Sequence, residues 1–160
     1  TSSVRRFPPD CLDPKIHSNN LVQSILAKIE ANAAGVDDAL MLDTHGFVAE
    51  TNATHVFLVA GDTVSTPRAV ACPEGITRET VLELCGENGI ACRETDLSLT
   101  DVYRAEEMFC SGTMGELAAV VEVDGREIGA GDESAPGPMT RRLSELFAER
   151  TAVEGTRVVD

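Results

Sequence analysis

The chain has 160 residues, 42% of them hydrophobic and 25% charged, with a formal net charge of −14. That length holds one domain with a true core, and the balance excludes a disordered chain. No apolar run nears the ~20 residues that span a bilayer, and so acidic a surface argues against nucleic acid and membrane as partners. The acidity itself reads as solubility or, more sharply, as adaptation to salt.

The opening Thr1 to Asp10 carries arginines with no apolar stretch behind them, so it is no signal peptide. It lacks a Met and is stiffened by prolines. The expectation is a fragment whose residues 1–13 form an extended, linker-like lead-in, followed by a domain over 14–150 and a tail over 151–160.

Ser18 and Asn19 can cap a helix to about Ala34, with Val22, Leu26, Ile29 and Ala33 at helical spacing and Leu21 and Ile25 widening the stripe. Gly35 stops it. Ala39 to Leu42 reads as a strand, turned through Asp43 to Gly46 into Phe47 to Glu50. Val56 to Val59 and Thr63 to Ser65 form a further hairpin about Gly61-Asp62. Arg68 to Gly75 is loop. A helix follows from Thr77 to about Cys85, then a strand from Ile90 to Glu94. Ser98-Leu-Thr-Asp101 resembles a capping box for a short helix through Tyr103. Met108 to Cys110 and Leu117 to Val123 are strands, and Asp124-Gly125 is a strong hairpin turn into Arg126 to Ile128. Pro138 opens a final amphipathic helix on Met139, Leu143, Leu146 and Phe147. The reading is a mixed α/β (α+β) domain with several antiparallel hairpins and no regular βαβ repeat.

Cys11, Cys72, Cys85, Cys92 and Cys110 are odd in number and include no CxxC pair, so neither a disulfide framework nor a zinc site is indicated, and a reducing cytoplasm fits. His17, His45 and His55 have no ligand spacing and no GxSxG partner, so they read as structural, His45 in a turn and His55 at a strand edge.

Three features can carry chemistry. Lys15 follows Asp13-Pro14 in a chain whose only other lysine is Lys28. A lysine at the edge of a packed region can lose solvation and attack carbonyls; taken alone, it is also an ordinary surface lysine. Glu50 ends a strand, where a carboxylate is a surface group or faces a cationic ligand nitrogen. Gly75-Ile76-Thr77 opens a helix, where free N–H groups and the dipole suit an anion, and Ser111 to Gly115 is a second small-residue loop able to expose N–H groups. Ordinary capping and turning explain each loop equally well by itself.

In this order, however, Lys15-Ile-His-Ser-Asn19-Asn-Leu21, Gly46-Phe-Val-Ala-Glu50 through Phe57, Gly75-Ile-Thr-Arg78, Phe109-Cys-Ser-Gly-Thr113-Met-Gly-Glu116 and Pro136-Gly-Pro-Met-Thr-Arg141 resemble fold-type-IV pyridoxal-phosphate enzymes. The likeness runs from about Pro14 to Phe147. It implies the C-terminal large domain of the D-amino-acid-aminotransferase-like fold, a pseudo-barrel with antiparallel hairpins and packed helices. It also implies pyridoxal 5'-phosphate as cofactor and transfer of an amino group between an amino acid and a 2-oxo acid. Branched-chain substrates rank first, from the spacing of Asn19 and Leu21 after Lys15. D-amino-acid aminotransferase and aminodeoxychorismate lyase follow, and an inactive isolated domain is the reading of another class.

By the same resemblance Lys15 is the Schiff-base lysine and Glu50 holds the pyridine nitrogen. Gly75, Ile76 and Thr77 cradle the phosphate with Thr113. Thr113 and Met114 face the substrate carboxylate. The partner is a smaller N-terminal domain, and the assembly a homodimer. The family's phosphate-binding arginine comes from that domain, so Arg5 and Arg6 are not assigned a role. The chain departs from the branched-chain pattern at Asn20, in place of a Tyr, at Pro73, in place of a Leu packed on the ring, and at the Met-Gly-Glu-Leu-Ala-Ala run after Thr113.

Overall fold

The computed structural model describes residues 1–129 and 135–155. A first short turn, α1 (Pro9–Leu12), runs into a 3-10 turn at Pro14–Ile16 and then into α2 (Val22–Ala34). The hairpin β1 (Leu40–Leu42) and β2 (Val48–Thr51) stands apart from the main sheet. The main sheet is five-stranded. It holds β3 (His55–Ala60), β4 (Thr63–Pro67), β5 (Ala91–Thr95), β6 (Glu107–Gly112) and β7 (Glu116–Ala119) in the order β5-β4-β3-β6-β7. Its pairs are antiparallel except β4 with β5, which α3 (Ile76–Glu87) connects as a parallel crossover. A short α4 (Leu99–Arg104), the hairpin β8 (Glu122–Val123) and β9 (Arg126–Glu127), and α5 (Pro138–Val153) complete the described chain. This is the expected mixed α/β architecture with antiparallel hairpins.

The middle of the sheet is buried on both faces, and the alternation along β3 shows how. Val56 and Leu58 join one core with Leu40, Leu42, Val48 and Met108, while Phe57 and Val59 join another with Val64, Val81, Phe109 and Leu143. Phe57 pairs in register with Phe109, and their rings stack with centroids 4.8 Å apart. The continuous apolar run in β3 follows from this double burial.

Local chemistry sets the ends. Ser98 and Asp101 form the expected reciprocal capping box on α4. Asp124 and Gly125 both take positive φ, as the turn between β8 and β9 requires. The expected strand Leu117 to Val123 is broken, since β7 ends at Ala119 and β8 starts at Glu122. At α5 the cap comes from afar. Gly137 has no side chain, and the Glu107 carboxylate of β6 accepts from the N–H groups of Met139 at 2.9 Å and Thr140 at 2.8 Å.

The start of α2 also differs from expectation. Helix α2 starts at Val22, not at Ser18 or Asn19, and its apolar stripe faces outward: Leu21, Val22, Ile25, Leu26 and Ile29 are exposed, and Ala27 and Ala31 pack on Ala39 and Met41. The small alanines let the helix lie close to β1, which turns the larger side chains away. The first residues pair with the hairpin. Ser2 N–H donates to Leu40 O at 2.8 Å and Arg6 N–H to Leu42 O at 2.9 Å, so residues 2–6 run along β1. At the other end α5 carries the chain helically to Val153, and positions 156–160 of the expected tail lie outside the described residues.

Candidate functional site

The turn between β2 and β3 brings the site's groups together. Thr51 Oγ1 accepts from the N–H of Thr54 at 2.9 Å, and Thr51 N–H donates to Thr54 O at 2.8 Å. Asn52 Oδ1 accepts from Ala39 N–H at 2.8 Å. This tight turn sets Glu50, at the end of β2, beside His55, at the start of β3. Glu50 Oε2 and His55 Nε2 lie 3.9 Å apart, and both side chains are largely buried.

Glu50 also forms an ion pair through Oε1 with Arg6, whose side chain is 8% exposed. Two further contacts fix Arg6: its Nε donates to Ala71 O at 3.2 Å and its Nη1 to Ser24 Oγ of α2 at 2.8 Å. Arg6 is the partner of Glu50 Oε1, and Ser111 Oγ is buried without a hydrogen-bond partner among the described residues. The second Glu50 oxygen, Oε2, has His55 as its neighbour at a distance too long for a hydrogen bond. Nothing in the local pattern around Arg6 marks it for this place. Its role becomes visible only when the lead-in is laid along β1.

From His55 the site extends to the start of α3. His55 Nε2 lies 2.8 Å from Pro73 O, and because a carbonyl only accepts, Nε2 carries the proton. A Cβ on Gly75 would collide with the His55 ring, and Gly75 has φ +74°. Only glycine fits there. Helix α3 then begins without a side-chain cap, leaving its first N–H groups free, with Thr77 buried and Ile76 exposed. Burial pushes the His55 imidazole below its ordinary value of 6.5, opposed by the Pro73 carbonyl and aided by Arg78 and Arg6. Arg78 itself is buried and donates to Pro67 O at 2.8 Å.

In the sheet His55 is opposite Ser111, and Gly112 sits so close to Thr54 that a Cβ there would stand 3.1 Å from its methyl. The hairpin between β6 and β7 thus places Thr113 and Met114 at an exposed tip beyond this same row, Met114 fully so. Lys15 lies on the open side in the 3-10 turn, exposed, with its N–H bonded to Asp13 Oδ1 at 3.0 Å. Its chain neighbours Asp13 and Pro14 share a cleft with Arg6 and Pro73. A small cleft of ≈70 Å³ is lined by Arg6, Asp13, Pro14, Asn20 and Pro73 among others, so two of the departures from the branched-chain pattern border it. A larger cavity of ≈280 Å³ around Phe47, Arg68 and Asp96 contains none of the candidate residues. Lys28, by contrast, is on α2 with its ammonium at Asp37 O and 3.6 Å from Asp38.

These groups fit pyridoxal phosphate. Glu50 Oε2, which accepts no hydrogen bond among the described residues, suits a ring N–H; the uncapped start of α3 suits a phosphate; and Lys15 offers an exposed amine. No group of three or more His, Cys, Asp or Glu able to hold a metal occurs among the described residues.

A mixed α/β domain of this fold is shared by solved structures that include one complexed with N-(5'-phosphopyridoxyl)-L-glutamate and one with pyridoxamine 5'-phosphate. The family profile of amino-transferase class IV matches residues 1–123, and the chain belongs to that family. It is 49% identical over 158 residues to a branched-chain-amino-acid aminotransferase-like protein 2 of Arabidopsis thaliana, covering 99% of this chain and 28% of that protein. It is 42% identical to a putative branched-chain-amino-acid aminotransferase of Methanocaldococcus jannaschii, covering 100% of this chain and 55% of that protein. Among solved structures it resembles the branched-chain amino acid aminotransferase of Escherichia coli, at TM-score 0.86 and 33% identity, over 92% of this chain and 50% of that one. The holo-form of the Thermobaculum terrenum branched-chain amino acid aminotransferase, with pyridoxal phosphate, gives TM-score 0.87 at 36% identity over 93% of this chain and 48% of that one. The chain therefore spans from 28% to 55% of the length of the relatives named here.

Proposed function

We propose that this chain is the cofactor-carrying part of a pyridoxal-phosphate-dependent aminotransferase that moves an amino group between a branched-chain amino acid and a 2-oxo acid. The observation that carries it is the buried Glu50, whose Oε1 is held by Arg6 and whose Oε2 accepts no hydrogen bond among the described residues, set beside His55 and Gly75 at an uncapped helix start. When bound, the cofactor supplies an electron sink for charge developing at the substrate α-carbon. Lys15 Nζ anchors it and then holds and moves the α-proton. Glu50 keeps a proton on the ring nitrogen. The N–H groups at Gly75 to Thr77 and the Thr77 hydroxyl orient the phosphate, with Thr113 adding a contact. The N–H groups of Thr113 and Met114 face the substrate carboxylate.

Lys15, Ile76 and Met114 are all open to solvent here, so this side needs a cover to exclude water. We infer that a smaller N-terminal domain supplies it together with a phosphate-binding arginine, and that two copies assemble. The exposed stripe of α2 supports such an assembly. Free cysteines throughout support a reducing compartment such as the cytoplasm, and no helix among the described residues is long and apolar enough to cross a membrane.

The test is to load the full-length protein with pyridoxal phosphate, reduce it with borohydride and map the modified peptide. Label on Lys15 is expected; label on Lys28 with Lys15 free overturns the assignment. A parallel assay should show turnover with leucine, isoleucine and valine. Preference for D-alanine would instead favour a D-amino-acid aminotransferase.

A further inference from the structure

We propose that His55 is a positioning residue that sets the anion cradle at the start of α3 against Glu50. The inference rests on the cofactor site proposed above and deepens it. Four contacts meet at this one residue. Its Nε2–H donates to Pro73 O at 2.8 Å, which fixes the loop leading into α3. Its ring edge fills the space where Gly75 would carry a side chain, which fixes the residue that caps the helix. Its Nε2 stands 3.9 Å from Glu50 Oε2, at the other end of the site. Its backbone is paired with Ser111, two residues before Thr113.

The imidazole is well suited to this place because it is rigid and carries a donor at its far end. No side chain caps the start of α3, and the loop from Arg68 to Glu74 carries no regular structure; Arg6 holds that loop at Ala71 O and Arg78 ties the first turn to Pro67 O, while His55 is the side chain that meets Pro73 and Gly75 themselves. A phosphate bound by backbone N–H groups is sensitive to their placement, since each such bond is directional and charge-assisted. Without the ring, Pro73 O loses its donor, Gly75 loses its stop, and the cradle drifts relative to Glu50. The ring nitrogen and the phosphate of one rigid ligand then cannot both be met.

The consequence is a selective one. Loss of the His55 donor should weaken ligands that carry the phosphate far more than those that do not. The experiment uses the full-length protein and measures affinity for pyridoxal phosphate and for pyridoxal, together with the thermal shift of the apoprotein in inorganic phosphate. In His55→Leu, affinity for pyridoxal phosphate should fall about tenfold or more, the scale of one charge-assisted hydrogen bond. Affinity for pyridoxal should change less than about threefold, and the phosphate-induced shift should shrink. His55→Gln, whose amide nitrogen can occupy the Nε2 place, should recover most of the preference. Where the leucine variant does not fold, His55→Asn serves, because its amide falls short of Pro73 O. Equal losses for both ligands, or no loss for either, would overturn the proposal and leave His55 a packing residue. A wild-type protein that takes up pyridoxal phosphate on Lys15 but shows no phosphate preference would sink the cradle while leaving the aminotransferase reading intact. Absence of cofactor uptake in the wild type would bring down both.

Discussion

Glu50→Gln separates two roles that one side chain performs. The amide cannot hold a proton on the cofactor's ring nitrogen, so turnover should fall roughly 10²–10³-fold, the scale of one preorganised electrostatic contact. It also strands the buried Arg6 guanidinium, which should cost about 3–5 kcal/mol of stability. Arg6→Met combined with Glu50→Gln should recover most of that stability and none of the turnover, as urea midpoints and a transamination assay would show. His55 adds a pH dependence of definite sign. Its pKa is lowered in the folded protein, first by burial, with Arg78 and Arg6 repelling its proton and Glu50 the anion that faces it. The stability this gives is complete above the ordinary value of 6.5 and is lost as pH falls below it. Urea midpoints measured between about pH 8 and pH 5 should therefore decline on the acid side in the wild type and decline less in His55→Gln.

At the scale of elements, α2 carries the clearest consequence. Its exposed Ile25 and Ile29 bury little within this chain, so Ile25→Lys with Ile29→Glu should leave stability within about 0.5 kcal/mol per site. The same pair should abolish self-association of residues 1–160, read by sedimentation at rising concentration. A large loss of stability instead would mean that the stripe packs inside the domain. The capping box on α4 gives a smaller test. Ser98→Ala removes the acceptor for Asp101 N–H and should cost ~1 kcal/mol. Both helices are legible from spacing, but spacing tells which residues of α2 share a face, not which face turns inward. That choice belongs to Ala27 and Ala31, whose small size allows close approach to β1.

For the molecule as a whole, the dominant long-range term is self-repulsion from a net charge of −14. Salt screens exposed charges over ~10 Å at 0.1 M. Stability should therefore rise as sodium chloride is added from low ionic strength to about 0.15 M, by ~2–4 °C in Tm for each kcal/mol of repulsion relieved. A Tm that falls instead would show that ion pairs such as Arg150 with Glu83 and Glu87 outweigh the repulsion.

The features legible along the chain are local in origin. The Ser98 box, the Asp124-Gly125 turn, the Pro138 start and the apolar runs of β3 and β6 each depend on residues within a few positions of one another, and the structure has each of them. The ordered motifs around Lys15, Glu50, Gly75 and Thr113 are what make the family legible, because each keeps its own short pattern whatever it packs against. The remainder comes from packing, since it concerns groups far apart in the chain. Arg6 reaches Glu50 because the lead-in runs along β1. His55 meets Pro73 and Gly75 because the loop before α3 folds back onto β3. Glu107 caps α5 across 32 residues. A buried charge or an uncapped helix end must find a partner, but the partner's address is set by which surfaces the packed core brings together, and no local pattern encodes that.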